Sequence, residues 1–252
     1  MRKLTMSEKI IVNKEDGILR LVFNNPEKKN ALTSIMYSSL AQKISEAESD
    51  LSIKVIILSG AGGNFSSGND LFDFINDPFN PSVISFLESL SSSNLPIIAM
   101  VSGVAVGIGA TMLLHCDFVY AAPETYFSFP FIDLGLVPEA AASLLLPKLV
   151  GHKKASELLM LGRPFYSEEA LKIGFISKLC SSENTLFDEG DKLAQILATK
   201  PRDSLLFTKR LLCTEEEAVS DRMTREHQIF RDLLGKKETQ GIISGLLGKK
   251  KK

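Results

Sequence analysis

The sequence predicts an α/β protein with a helical C-terminal region, and three observations carry that expectation. Val55-Ile56-Ile57-Leu58 and Ile97-Ile98-Ala99-Met100-Val101 are continuous apolar runs bounded by Gly, Pro or polar residues, the pattern of strands buried on both faces. Segments with a 3.6-residue apolar period separate the strand-like runs, so strand and helix alternate along the chain. Beyond Asn184 no strand pattern survives, and only helical periodicity remains.

In chain order, Ile10-Ile11-Val12 and Ile18-Leu19-Arg20-Leu21-Val22-Phe23 flank the turn-prone Lys14-Glu15-Asp16-Gly17 and read as a hairpin, which Asn24-Asn25-Pro26 ends. Met36, Leu40, Ile44 and Ala47 then fall at helical spacing, with Thr33 or Ser34 as N-cap and an end near Asp50. After the two buried strands, further strands are expected at residues 117–121, 126–129 and 174–179. Helices are expected over 186–199, 202–212 and 215–234, separated by Pro201 and a break at Cys213-Thr214. This divides the chain into a core over residues 1–195 and a helical region over 196–252.

A chain of 252 residues with 44% hydrophobic content buries a large core without staples. Cys116, Cys180 and Cys213 are too widely spaced for a zinc pattern and suit a reducing compartment. A net charge of -1 gives no global field for nucleic acid, and the terminal Lys249-Lys250-Lys251-Lys252 reads as a solvated end. Residues 1–8 lack an apolar leader core, and no apolar stretch reaches the roughly 18 residues of a membrane span, so no membrane insertion is expected. Cytosol, mitochondrion and peroxisome all stay open as compartments.

Several chemistries drop out at the motif level. His115-Cys116-Asp117 holds three potential ligands, but adjacent residues point in different directions, so a core segment is expected there and no metal. His152 and His227 have no ligand partners at useful spacing. Gly60-Ala61-Gly62-Gly63 and Gly107-Ile108-Gly109 lack the Lys-Ser/Thr ending of a phosphate loop, and Ser66-Ser67-Gly68 lacks the frame of a hydrolase nucleophile. What remains is two Gly-rich turns that each follow a strand and open a helix. Such turns leave main-chain N–H groups free, here that of Asn69 and that of Ile108 or Gly109, and two free donors suffice to hold one oxyanion.

Five ordered segments carry a family resemblance: Asn25-Pro26-Glu27-Lys28-Lys29-Asn30-Ala31-Leu32, Phe65-Ser66-Ser67-Gly68-Asn69-Asp70-Leu71, Val104-Ala105-Val106-Gly107-Ile108-Gly109, Cys116-Asp117, and Leu134-Gly135-Leu136-Val137-Pro138-Glu139. On these the chain resembles the crotonase (enoyl-CoA hydratase/isomerase) superfamily along nearly its whole length. The resemblance implies a crotonase-like ββα spiral core, a C-terminal helical region that mediates assembly as trimers or dimers of trimers, acyl-CoA thioester substrates and no redox cofactor. It places the two oxyanion donors at Asn69 and Ile108.

Hydratases of the superfamily carry glutamates at positions held here by Thr111 and Phe131, neither of which can activate water or protonate carbon. The resemblance is closest to the peroxisomal-type Δ3,Δ2-enoyl-CoA isomerases, whose base matches Glu139. Local sequence alone also fits Glu139 as an exposed acid in the first turn of a helix with Pro138 at N1, and leaves its pKa direction open, since burial against Phe131 raises it and a helix N-terminus lowers it. The resemblance further implies that Lys29, Ala31, Leu32, Ser67, Gly68 and Asp70 run along the CoA moiety, with Lys209 reaching its phosphate. Phe72, Phe74, Phe79, Phe129, Phe131 and Leu136 are the candidate acyl contacts, and Leu71, Gly107 and Pro138 complete the substrate-binding set. Another crotonase-type reaction and a silent acyl-CoA-binding module are the competing readings.

Overall fold

The computed structural model describes residues 9–77, 80–213 and 217–249. Its main sheet has six strands: β1 (Ile10–Glu15), β2 (Ile18–Phe23), β3 (Val55–Gly60), β4 (Ile97–Val101), β6 (Phe118–Ala121) and β9 (Lys178–Leu179), adjacent in that order. β1 and β2 form the expected hairpin through Asp16 and Gly17, and every later pairing in the sheet is parallel. The apolar runs of β3 and β4 are buried at every position. Their side chains alternate between two cores. Ile56 and Leu58 face α1 (Ser34–Ser49) and α3 (Pro81–Ser92), whereas Val55 and Ile57 face α8 (Glu183–Ala198).

The caps follow from sequence. Thr33 accepts from the Met36 N–H at the start of α1, and Asn80 accepts from Ser82 at the start of α3, where Pro81 occupies N1. On the opposite face, a Cβ at Gly190 would lie 2.1 Å from Met100 Sδ, so the absence of a side chain is what lets α8 settle onto β4.

A second, three-stranded sheet joins β5 (Val104–Val106), β7 (Tyr126–Ser128) and β8 (Phe165–Tyr166). Behind it Phe127, Phe129, Phe165 and Phe175 pack with ring centroids 5.3 to 5.8 Å apart. Short elements complete the middle of the chain: α2 (Leu71–Asn76), α4 (Ile108–Thr111), α5 (Ala142–Val150), α6 (His152–Leu161) and α7 (Ser167–Lys172). The C-terminal region is helical as expected, with α9 (Arg202–Leu212), α10 (Val219–Leu234) and α11 (Lys237–Lys249).

Three expectations need correction. The strand expected over 174–179 shortens to β9 because Gly174 turns the chain at φ +77°. The helix expected from 215 starts at Val219, and α11, which no expectation covered, follows it. The boundary at 195 falls inside α8, whose Leu186 and Ala194 belong to the core beside the main sheet. Residues 1–8, Phe79 and Lys250-Lys251-Lys252 lie outside the described residues, as does the start of the expected helix at Glu215. Among the described residues no helix is long and apolar enough to cross a membrane.

Candidate active site

The two Gly-rich turns are joined by main-chain pairing. Ser66 and Ala105 form a parallel bridge, with Ser66 N–H donating to Val104 O (2.9 Å) and Val106 N–H to Ser66 O (3.0 Å). Asn69 and Ile108 each lie three residues beyond this bridge, so the two turns leave it side by side. At Gly68, φ is +99° and a Cβ would stand 2.9 Å from Val106 O, so glycine is required both for the turn and for the close approach.

An account of the donors leaves few N–H groups over. In the first turn, Ser67 N–H donates to Lys29 O (2.9 Å), Gly68 N–H to Ser66 Oγ (3.2 Å) and Asp70 N–H to Leu32 O (2.9 Å). The Asn69 N–H has no protein acceptor among the described residues. In the second turn, Gly107 N–H donates to Ser128 O (3.0 Å), while Ala110 and Thr111 both donate to Gly107 O. That leaves Ile108 and Gly109 without an acceptor among the described residues.

The first turn is pinned on its outer side. Asp70 caps α2 through Phe72 N–H and also receives Lys28 Nζ at 2.6 Å, and this lysine holds its carboxyl below the usual range. Ser67 Oγ donates to Lys28 O (2.9 Å). On the inner side the buried Tyr37 hydroxyl donates to the Asn69 side-chain carbonyl.

Glu139 comes from a later segment of the chain. A 3-10 turn over Ile132–Leu134 ends at Gly135 in the left-handed region, and the chain then runs through Leu136-Val137-Pro138 to Glu139. Glu139 precedes α5 instead of opening it: Ala140 and Ala141 both have positive φ (54° and 56°), and α5 begins only at Ala142. The reading of Glu139 as an exposed acid in the first turn of a helix is therefore overturned.

Glu139 shares a cavity of about 430 Å³ with Tyr37 and Asn69, walled by Leu32, Phe74, Val83 and Ile84. Its Oε1 is buried without a hydrogen-bond partner among the described residues, and burial pushes the pKa of Glu139 up to about 7. The same burial, with the nearby Glu139 charge adding to it, pushes the Tyr37 hydroxyl well above its ordinary value.

The remaining expected site residues divide. Ala31 and Leu32 are buried beside the first turn, Lys29 is exposed next to them at φ 49°, and Leu32, Asp70 and Phe74 line the cavity. Phe129 and Phe131 belong instead to the core, and Phe72, Leu71 and Leu136 are exposed, so of the described aromatic residues expected as acyl contacts only Phe74 lines the cavity, beside the aliphatic Leu32, Val83 and Ile84.

Lys209 is a correction: it is only 7% exposed, and its ammonium is held by Leu95 O (2.9 Å) and Asp117 Oδ2 (2.8 Å). It ties α9 to the main sheet and is not free to reach a phosphate. The three side chains of His115-Cys116-Asp117 diverge, to Ala140 O, to Met112 O and to Lys209 with Ile97 N–H.

Sequence reasoning missed Tyr37, Val83 and Ile84. Tyr37 follows Met36 in α1 and by periodicity alone reads as ordinary core.

The free Asn69 N–H sits on a turn that lines the cavity holding the Glu139 carboxyl, and the free Ile108 N–H lies on the turn bridged to it, an arrangement suited to stabilising an enolate. Comparison with known proteins gives the family. The enoyl-CoA hydratase/isomerase family model matches residues 13–252, and the chain belongs to that family. It is 34% identical to 1,2-epoxyphenylacetyl-CoA isomerase of Escherichia coli K12, over 92% of each chain. It is also 34% identical to enoyl-CoA delta isomerase 2 of Rattus norvegicus, over 85% of this chain and 57% of that longer protein. Among solved structures, a Magnetospirillum magneticum AMB-1 protein superposes with a TM-score of 0.92 at 38% identity, over 97% of both chains. The enoyl-CoA hydratase/isomerase of Pseudoalteromonas atlantica T6c superposes with a TM-score of 0.80 at 39% identity, over 96% and 98%.

Proposed function

We propose that this protein is a Δ3,Δ2-enoyl-CoA isomerase working with one base and needing no separate cofactor. Glu139, ionised, takes a proton from C2 of a 3-enoyl-CoA, and the electrons of that C–H bond move into a dienolate whose oxygen rests on the Asn69 and Ile108 N–H groups. The carboxylic acid then returns the proton to C4, leaving the double bond between C2 and C3 and Glu139 ionised again. A 1,3 shift on one face keeps both carbons within reach of a single carboxylate. Removing one such oxyanion donor costs about 2.7 to 4 kcal/mol in well-studied cases, so a pair accounts for much of the barrier lowering.

The observation that carries this reading is the Glu139 carboxyl itself: its Oε1 is buried without a hydrogen-bond partner among the described residues, and burial pushes its pKa up to about 7, where a carboxylate both accepts and returns a proton. Thr111 and Phe131, which resemblance sets at the places of the hydratase glutamates, speak against hydration. The metabolic setting that follows is breakdown of unsaturated fatty acyl-CoA. Val219, Met223 and Phe230, exposed on α10, support assembly of trimers or dimers of trimers through the C-terminal helices, which sedimentation of the purified protein measures.

The test compares 3-hexenoyl-CoA isomerisation and crotonyl-CoA hydration in wild type and Glu139→Gln. The expected result is isomerisation lost in the variant, CoA-ester binding retained, and hydration negligible in both. Equal isomerisation in both proteins rejects the reading. A second reading, isomerisation of an aryl acyl-CoA through the same enolate, is favoured by the near full-length match to the epoxyphenylacetyl-CoA enzyme. Running 1,2-epoxyphenylacetyl-CoA in parallel decides between the two.

A further inference from the structure

We infer that His115 is a positioning residue that fixes Glu139 relative to the oxyanion donors. This inference rests on the reading of Glu139 as the base and adds a residue to it. His115 Nε2 lies 2.9 Å from Ala140 O, the carbonyl directly after the carboxylate. A carbonyl only accepts, so Nε2 carries the proton.

The turn that this bond holds is strained. Ala140 and Ala141 are consecutive non-glycine residues in the left-handed region, each at a cost of about 1–3 kcal/mol, and such a pair persists only where its surroundings impose it. No side chain caps α5 at this turn, and the Ala142 N–H bond to Glu139 O (3.0 Å) is internal to it. The His115 bond is external to the turn.

Its origin matters as much as its target. His115 closes the 3-10 turn Met112–His115, which continues directly from α4, and α4 begins at Ile108. One short rigid segment therefore carries an oxyanion donor at its first residue and the tether of the base at its last. The bond spans from the enolate-binding half of the site to the proton-transfer half and sets the separation between them, a distance that a 1,3 proton shift tolerates poorly.

The charged surroundings leave this bond intact at neutral pH. Burial lowers the pKa of His115, the Ala140 carbonyl opposes that shift, and Lys209 on α9 adds to it, so the ring stays neutral with its donor in place. Tyr37 on α1 stays protonated throughout the working range, and Asp70, Asp73 and Asp77 line the same cavity as Glu139.

The test uses His115→Gln, whose amide nitrogen reaches about as far as Nε2, and His115→Asn and His115→Leu, which lose the bond. Glu139 is followed by 13C NMR of glutamate-labelled protein, its resonance assigned with Glu139→Gln. The expected result is a Glu139 titration that falls from about 7 toward the ordinary 4.5 in the Leu and Asn variants, because the freed turn admits water, and stays near 7 in the Gln variant. With 3-hexenoyl-CoA, kcat drops about 10- to 100-fold in Leu and Asn with KM within about two-fold, and Gln recovers most of it. A folded Leu or Asn variant that keeps the Glu139 titration near 7 overturns the inference. If Leu fails to fold, Asn against Gln makes the same comparison. A wild type inactive on enoyl-CoA rejects the proposed function, while the titration still decides the role of His115.

Discussion

The Tyr37 hydroxyl donates to the side-chain carbonyl of Asn69, a cavity-lining residue whose main-chain N–H has no protein acceptor among the described residues. Helix α1 thereby anchors the turn whose Asn69 N–H serves as an oxyanion donor in the proposed mechanism. In Tyr37→Phe the ring still packs on Phe86, 5.6 Å away, but Asn69 loses its inner anchor. The expected outcome is a stability loss of about 1 kcal/mol by urea denaturation. The kcat for 3-hexenoyl-CoA should fall about ten-fold with KM little changed, since the donor acts mainly on the charged intermediate. A change confined to KM would place the hydroxyl in substrate binding instead.

Glu139 makes stability depend on pH in a direction opposite to most carboxylates. Its ordinary value of 4.5 applies to the unfolded chain and about 7 to the folded one, so between these values the folded protein holds a proton that the unfolded chain has released. Stability therefore falls as pH rises through that window, by on the order of 3 kcal/mol, and levels off above it. Glu139→Gln lacks this term, so its advantage over wild type in chemical denaturation should grow from pH 5 to pH 8. Activity runs the other way, with kcat/KM rising as Glu139 ionises near pH 7. A flat stability difference across the range would mean a solvated carboxyl.

What could be read from sequence alone was whatever depended on local pattern. The β1–β2 hairpin, the Thr33 cap and the fully buried β3 and β4 follow from period, β-branching and turn residues. The paired turns at Asn69 and Ile108 were legible because glycine at Gly68 and Gly107 serves a positive φ. Features fixed by tertiary contact were not. β8 is two residues long and exists only through pairing with β7, and nothing in Ala140-Ala141 announces positive φ. Lys209 on an otherwise amphipathic α9 looks like any solvated lysine until Asp117 and Leu95 surround it.

That lysine gives a sharp contrast between structural and binding roles. Removing its ammonium strands Asp117, which retains the Ile97 N–H (2.7 Å) but loses its counter-charge. Lys209→Met should cost about 3 kcal/mol in urea denaturation, at the lower end for a broken buried pair because Asp117 is partly exposed. The KM for an acyl-CoA should stay at the wild-type value. A stable variant with a weakened CoA interaction would return Lys209 to the phosphate.

The close approach of the two oxyanion turns rests on Gly68, and alanine tests it against a neighbour with a different constraint. In Gly68→Ala the new Cβ meets Val106 O at 2.9 Å, a backbone atom that cannot swing aside, and the residue must also hold φ +99°. The turns are forced apart, so the Asn69 and Ile108 N–H groups can no longer share one oxygen as the proposed mechanism requires. The expected loss is more than about 1 kcal/mol of stability and about 100-fold in kcat, comparable to deleting one donor. Gly107→Ala carries backbone strain at φ +55° but meets no atom within 4 Å, so it should destabilise less. Urea midpoints and 3-hexenoyl-CoA turnover for the two variants side by side separate collision from strain. Equal effects would mean that the distance between the turns is not what glycine protects at residue 68.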